Sequence, residues 1–199
     1  MTLVIDLQYF SPSIFYFQLR KSSHCIFDQY EHFQKMSFRN RCTLSGGNRP
    51  IVLSIPIYGG RNQRAAMKDV RIRNSESWQA RHWKTIMSCY NKSPWFGHYA
   101  GELESLYSRK FEFLKDWNLE CFKWIADKLS IETSWSLSNS YQENYNDSQF
   151  LDWRNKLKPS TINQIFPPVP RYPQVFEDRF GFIPHLSVLD FLFCTKGEM

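Results

Sequence analysis

The apolar positions change period several times along the chain, and each change predicts an element. Thr2 to Phe10 is rich in β-formers and interrupted by Asp6 and Gln8. It reads as a buried strand ending at Ser11-Pro12, where proline stops pairing and can open a helix. Ser11 as N-cap and Pro12 at the first helical position predict a short helix over Ile14 to Ser22. Ile26-Phe27 then predicts a second strand ending at Asp28. Strand, helix, strand reads as a βαβ-like unit, and ligands of parallel sheets bind beyond the carboxyl ends of the strands. Gln8 and Asp28 fall close to those two ends.

Arg41 to Leu44 and Ile51 to Ile57 are strand-like runs around the turn-rich Ser45-Gly46-Gly47-Asn48-Arg49-Pro50, the pattern of a hairpin. Tyr58 to Arg64 is glycine-containing and basic and reads as a loop, followed by a short strand from Asp69 to Arg73. Ser75 or Ser77 caps a helix running to about Tyr90, with a break at Pro94. Beyond it Leu103, Leu106, Tyr107, Leu114, Trp117, Cys121, Ile125 and Leu129 recur at helical spacing over roughly seven turns, predicting one long amphipathic helix. Ser134 to Leu137 suits a strand and Leu151 to Leu157 a short helix. Phe166-Pro167-Pro168-Val169-Pro170 can only be an extended loop on the surface. Phe182 to Phe193 packs back on the core, as a helix if capped near His185 or Ser187. The expected class is α/β: a single domain over residues 1–199, with a βαβ-like opening, a hairpin, a mostly helical middle and a C-terminal return.

Composition agrees with a packed fold. Of 199 residues, 42% are hydrophobic and 17% aromatic, far from a disordered composition. The net charge of +6 favours anionic partners, although the basic residues are scattered, with short groups at Arg39/Arg41 and Arg61/Arg64/Lys68/Arg71/Arg73. Cys25, Cys42, Cys89, Cys121 and Cys194 are odd in number and hold no CxxC pair, so neither a disulfide framework nor a zinc knuckle is predicted. Free thiols fit a reducing compartment. No basic n-region precedes an apolar stretch and no apolar run reaches 18 residues, so a cytoplasmic protein without membrane insertion is expected. GxGxxG, P-loop, HExxH, GxSxG and EF-hand patterns are absent, so no cofactor is expected.

The polar residues least explicable as structure lie between Gln8 and Arg41. Gln8-Tyr9-Phe10 followed by Pro12, Phe15 and Tyr16-Phe17-Gln18-Leu19, then Asp28 and Arg39-Asn40-Arg41, resembles the WbqC-like protein family. The resemblance continues through Ile55-Pro56, Val70-Arg71-Ile72, His82-Trp83, Tyr90, Pro94 with Phe96, Phe182-Ile183-Pro184, Leu186-Ser187 and Leu189-Asp190-Phe191-Leu192-Phe193. Two departures stand out. The family opening often reads Gln-Pro-Tyr-Phe, without its proline here, and Cys194 stands where asparagine commonly closes the last motif. Some members of this bacterial family are associated with O-antigen and other polysaccharide gene clusters, which need enzymes that acylate or aminoacylate amino sugars. The resemblance therefore implies an N-acyl or aminoacyl transferase.

Residue types allow matching roles. Asp28 at a strand end is a candidate general base, although Asp is equally a turn cap. His82, in a helix with Trp78, Trp83 and Tyr90, is the second catalytic candidate; a core histidine bonded to backbone is its alternative. Lys35 can hold a carboxylate or phosphate, and Arg39 and Arg41 can grip one bidentately, both on one face if the segment is a strand. Gln8 and Asn40 offer amides to a sugar hydroxyl or an oxyanion. A thiol of Cys25, Cys42 or Cys89 with His82 and Asp28 is a weaker nucleophile scheme. The other histidines lack ligand spacing, so no metal is expected.

Three readings follow from these roles. The first is transfer to an amino-sugar or sugar-nucleotide acceptor, with a small anionic or sugar substrate. The second is a non-enzymatic module holding an anionic ligand or an acyl or aminoacyl carrier protein. The third and weakest is nucleic-acid binding, disfavoured because no glycine-aromatic RNA-binding motif is present. The sequence sets no oligomeric state.

Overall fold

The computed structural model describes residues 1–60, 64–145 and 147–198. In chain order it contains β1 (Thr2–Asp6), α1 (Ser13–Leu19), β2 (His24–Asp28), β3 (Arg41–Leu44), β4 (Ile51–Ser54), α2 (Trp78–Tyr90), α3 (Phe96–Ser108), α4 (Leu114–Lys128), β5 (Ser134–Leu137), β6 (Phe150–Asp152), α5 (Ile162–Ile165), α6 (Glu177–Phe180) and α7 (Val188–Thr195). Four strands form a parallel sheet in the order β5-β2-β1-β6, and β3 and β4 form a separate antiparallel hairpin. The fold is mixed α/β, as the sequence predicts.

β1 lies inside the sheet. Leu3, Val4 and Ile5 are almost wholly buried, as a near-continuous apolar run in a parallel sheet requires. The chain grows outward from β1 to β2 and β5, then returns to the other side of β1 as β6. That reversal is a topological switch point, and it lies at the carboxyl ends of β1 and β6. α4 supplies an apolar face: its Phe122 packs against Phe15 and Tyr16 of α1 and Phe27 of β2.

Several expectations are corrected. Pro12 is itself the N-cap of α1 rather than its first residue, and Ser11 instead gives its carbonyl to Val188 N. The predicted seven-turn helix is two helices. The backbone is extended at Arg109, and the break feeds hydrogen bonds to the segment after β4: Ile72 N donates to Glu112 O, Leu114 N to Val70 O, and Asn74 Nδ2 to Phe111 O. Tyr107 and Leu114 are seven residues apart, so the interruption leaves the apolar period intact. Residues 69–73 carry a single 3-10 turn (Met67–Asp69) and isolated bridges instead of a strand. Leu151 to Leu157 is not a helix; it opens with β6 and continues as a turn. The proline-rich segment is irregular as predicted, yet it buries Phe166 and Val169 against the core. Arg61 of the basic loop lies outside the described residues.

α7 ties the C-terminal return to the hairpin. Ser187 caps it by accepting from Leu189 N, donates its Oγ to Phe10 O, and donates its backbone N to Thr43 O. Asp190 in the first turn of α7 is fully buried and accepts from Tyr90 Oη at 2.9 Å and Tyr172 Oη at 2.8 Å. Tyr90 Oη in turn accepts from Ser45 N, just past β3. The groups facing this carboxyl are two phenols, the Gln174 amide and the thiols of Cys89 and Cys194. Without a cation beside it, burial pushes its pKa up from 3.8 to about 6.

A raised carboxyl pKa means that the folded state holds the proton more tightly. The contribution of Asp190 to stability therefore falls as pH rises from about 4 to about 6 and is constant above that. Asp190→Asn should gain on the wild type by about 2–3 kcal/mol between pH 4 and pH 7 in paired urea titrations. An unchanged difference across that range would refute the assignment.

Candidate functional site

Asp6 and Asp28 are register partners at the carboxyl ends of β1 and β2, so the sheet sets two carboxylates side by side, both buried. Each has its own arginine. Arg154, two residues past β6, donates Nη1 to Asp28 Oδ2 at 2.7 Å and to Glu31 Oε1 at 3.3 Å, and its Nε and Nη2 to Asp152. Nη1 also reaches the Gln142 carbonyl, so its two protons are shared among three acceptors, and the second Nη2 proton goes to the Glu143 carbonyl. Arg39 Nε lies 3.6 Å from Asp6 Oδ2, and its Nη2 donates to Asn155 Oδ1. Asn155 Nδ2 donates to Glu31 Oε2. One chain of contacts thus runs from Asp6 through Arg39, Asn155, Glu31 and Arg154 to Asp28.

This network fills the switch-point crevice. Where a doubly wound sheet receives its ligand, this chain sets its own guanidinium groups. The Asp28 carboxylate is spent within it: Oδ1 accepts from Tyr30 N, Glu31 N and Ser138 Oγ, and Oδ2 from Arg154. It acts as a turn cap and counter-ion together. Gln8 is buried beside it, donating Nε2 to Asp6 Oδ2 and Leu157 O. Asn118 of α4 donates to Leu7 O and Arg39 O, fixing the backbone just before Gln8 and just before Asn40.

Lys35, Asn40 and Arg41 meet elsewhere. They line a cleft of about 300 Å³ with Phe33, Ile55 and Arg73. Residues 38–40 turn before β3 begins, so Arg39 and Arg41 do not share a strand face. Arg39 is 1% exposed and points to Asp6, whereas Arg41 is half-buried beside Met36, to whose Sδ it donates. The expectation of both arginines on one strand face is therefore corrected: Arg39 turns inward, and Arg41 lines the cleft with Lys35 and Arg73. Asn40 builds the cleft wall, accepting from Ile55 N on its carbonyl and donating Nδ2 to Ile55 O.

His82 stands behind that wall. Its Nδ1 is 2.9 Å from Tyr9 Oη, the Ser54 carbonyl accepts from the ring, and Tyr9 Oη is hydrogen-bonded to Tyr107 Oη. A carbonyl only accepts, so the nitrogen facing Ser54 carries the proton and Nδ1 accepts from Tyr9. Burial lowers the pKa of the imidazole to about 4, which keeps it neutral at physiological pH. Neither His82 nor Asp28 lines the cleft, and their hydrogen bonds do not join them. Cys25, Cys42 and Cys89 are buried thiols whose pKa values are pushed up by burial, to about 11 for Cys89, which disfavours the thiolate a nucleophile needs. Among the described residues no group of three or more His, Cys, Asp or Glu side chains could hold a metal ion.

Arg154 and Asn155 escaped the reading of the sequence, whereas Arg73 enters it only within a short basic group and Glu31 without a role of its own. Asp6 carried a usable signal, since an acid inside a buried strand requires a cation. Nothing local shows that Arg39 supplies it, or that Arg154 serves the next strand.

The fold and this constellation define a parallel α/β protein with a self-filled switch point and a basic cleft beside it. The profile of the WbqC-like protein family matches residues 8–164, and the chain belongs to that family. No curated protein and no solved structure matches it significantly. Among the described residues, no helix is long and apolar enough to cross a membrane.

Removing Arg154 would leave the Asp28 carboxylate buried without its ion partner. Arg154→Ala should cost about 3–5 kcal/mol in denaturant unfolding, and Arg154→Lys should recover only part of it because a point charge cannot span the partners of the fork. For His82, nitrogen-detected NMR should show a single neutral tautomer with flat shifts from pH 5.5 to 8. A titration midpoint in that window would contradict the buried relay.

Proposed function

We propose that this WbqC-like protein is an N-acyl or aminoacyl transferase of surface-polysaccharide biosynthesis, acting on an amino-sugar or sugar-nucleotide acceptor. The observation that carries this reading is the cleft, where Lys35, Arg41 and Arg73 converge over apolar Phe33 and Ile55. Such a surface suits a small anionic substrate with an apolar or ring portion. Asp28 caps the start of the loop 29–40 and Arg39 ties its end to Asp6, against which Gln8 is bonded, while Asn40 and His82 fix the cleft wall. Family membership supports the polysaccharide context, and the cleft supports the anionic substrate.

A second reading, a non-enzymatic module for an anionic ligand or a carrier protein, is favoured by one specific observation: both candidate bases are committed to internal hydrogen bonds. Activity separates the two. With amino-sugar nucleotides as acceptors and acyl or aminoacyl thioesters as donors, the transferase reading expects turnover, with kcat/KM falling about tenfold or more in Arg41→Ala. Thermal stabilisation by an acceptor or donor, with no product from any pairing, would leave the binding module standing and reject the transferase.

A further inference from the structure

We propose that the cleft is a phosphate site, selective for the phosphate or diphosphate end of its ligand over a carboxylate. This deepens the transferase reading and rests on it for the anionic class of substrate. The first ground is charge. Among the described residues neither Lys35 nor Arg41 has a carboxylate within ion-pair distance; the one hydrogen bond of the Arg41 guanidinium goes to a neutral thioether. Arg73 shares its charge with Glu76 at 3.5 Å and is held over the ring of Tyr58 at 5.7 Å. Two cations are uncompensated. A carboxylate would neutralise one of them, whereas a phosphate dianion neutralises both and offers oxygens enough for a guanidinium fork and an ammonium together.

The second ground is rigidity. Arg41 opens β3 opposite Ser54 in the hairpin register, and the wall from Ser54 to Ile55 is bonded from both sides. Asn40 closes two hydrogen bonds with Ile55, and His82 donates to the Ser54 carbonyl from behind. The hairpin itself is pinned at its other end, by Ser187 N on Thr43 O and by Tyr90 on Ser45. The cation at the cleft mouth therefore rides on a backbone with little left to order on binding, which favours a compact multivalent anion. The third ground is space. About 300 Å³ is at the lower limit for a complete small-molecule site. The cleft thus takes the phosphorylated end of a ligand while the rest extends over the rim.

Calorimetric titration of the full chain at fixed ionic strength, with pyrophosphate, inorganic phosphate and acetate as probes, tests this. Pyrophosphate should bind most tightly and acetate at least about tenfold more weakly than phosphate. Arg41→Ala and Lys35→Ala should each lower pyrophosphate affinity about tenfold, with melting temperatures unchanged because both side chains reach solvent. Arg179→Ala, outside the cleft, should bind as the wild type does. Displacement of pyrophosphate by a nucleoside-diphosphate amino sugar assigns the cleft to the acceptor, and displacement by an acyl-coenzyme thioester assigns it to the donor; either supports the proposal. Acetate binding as tightly as phosphate, or pyrophosphate binding indifferent to Arg41→Ala, overturns it. Pyrophosphate binding without turnover would reject the transferase and leave the phosphate site intact, whereas turnover without phosphate binding would do the reverse.

Discussion

Two carboxylates set level on neighbouring buried strands cannot both remain charged without cations, and this constraint organises the rest of the molecule. Asp6 and Asp28 are register partners, and water does not reach either. Arg39 and Arg154 answer them from segments far apart in the chain. To bring Arg154 into place, residues 150–152 must pair with β1 as the fourth strand; to bring Arg39, the loop after β2 must fold back across the sheet end. Desolvation makes each ion costly, and the ion pairs together with the hydrogen bonds through Asn155, Glu31, Asp152 and the carbonyls of Gln142 and Glu143 offset that cost. The network thus acts as a register device, joining the carboxyl ends of β1, β2 and β6.

The same device moves the site. A crevice that would receive a ligand in other parallel sheets is packed with guanidinium groups, so the open basic surface lies one step outward, between the loop 29–40 and the hairpin. Buried polar chemistry beneath the cleft sets its shape. Asn118 holds the backbone at Leu7 and at Arg39, next to the cleft residue Asn40, and the tyrosine–histidine relay holds the Ser54 carbonyl. The side chains with the most suggestive chemistry, Asp28 and His82, are those most completely consumed by architecture. Exposed Lys35 and half-buried Arg41, chemically plainer, are the ones left facing solvent.

Local patterns carried much of the fold. The apolar opening, the glycine-rich hairpin loop and the Ser77 start of α2 each reflect a backbone preference that acts within a few residues, and each appears close to its expected place, whereas β1 ends at Asp6, short of the expected stop at Ser11-Pro12. The one long helix failed because periodicity registers which side chains face the core, not whether the backbone between them is helical. Tyr107 and Leu114 keep their seven-residue phase while residues 109–113 leave the helix to bond with residues 70–74. β6 failed for a related reason: three residues are too few to show alternation, and Phe150-Leu151-Asp152 is a strand because it pairs with the edge of β1.

The sequence by itself determined the class of fold, the family and the surplus of positive charge, and it pointed to a candidate site between Gln8 and Arg41, because composition and short-range propensity belong to the chain before it folds. Tertiary structure alone decided which of those residues face each other. It sent Arg39 inward and Arg41 outward, recruited Arg73 and Arg154 from distant segments, and turned Asp28 and His82 toward internal partners. Burial is a property of the packed chain, and burial decides whether a polar side chain is a support or a contact.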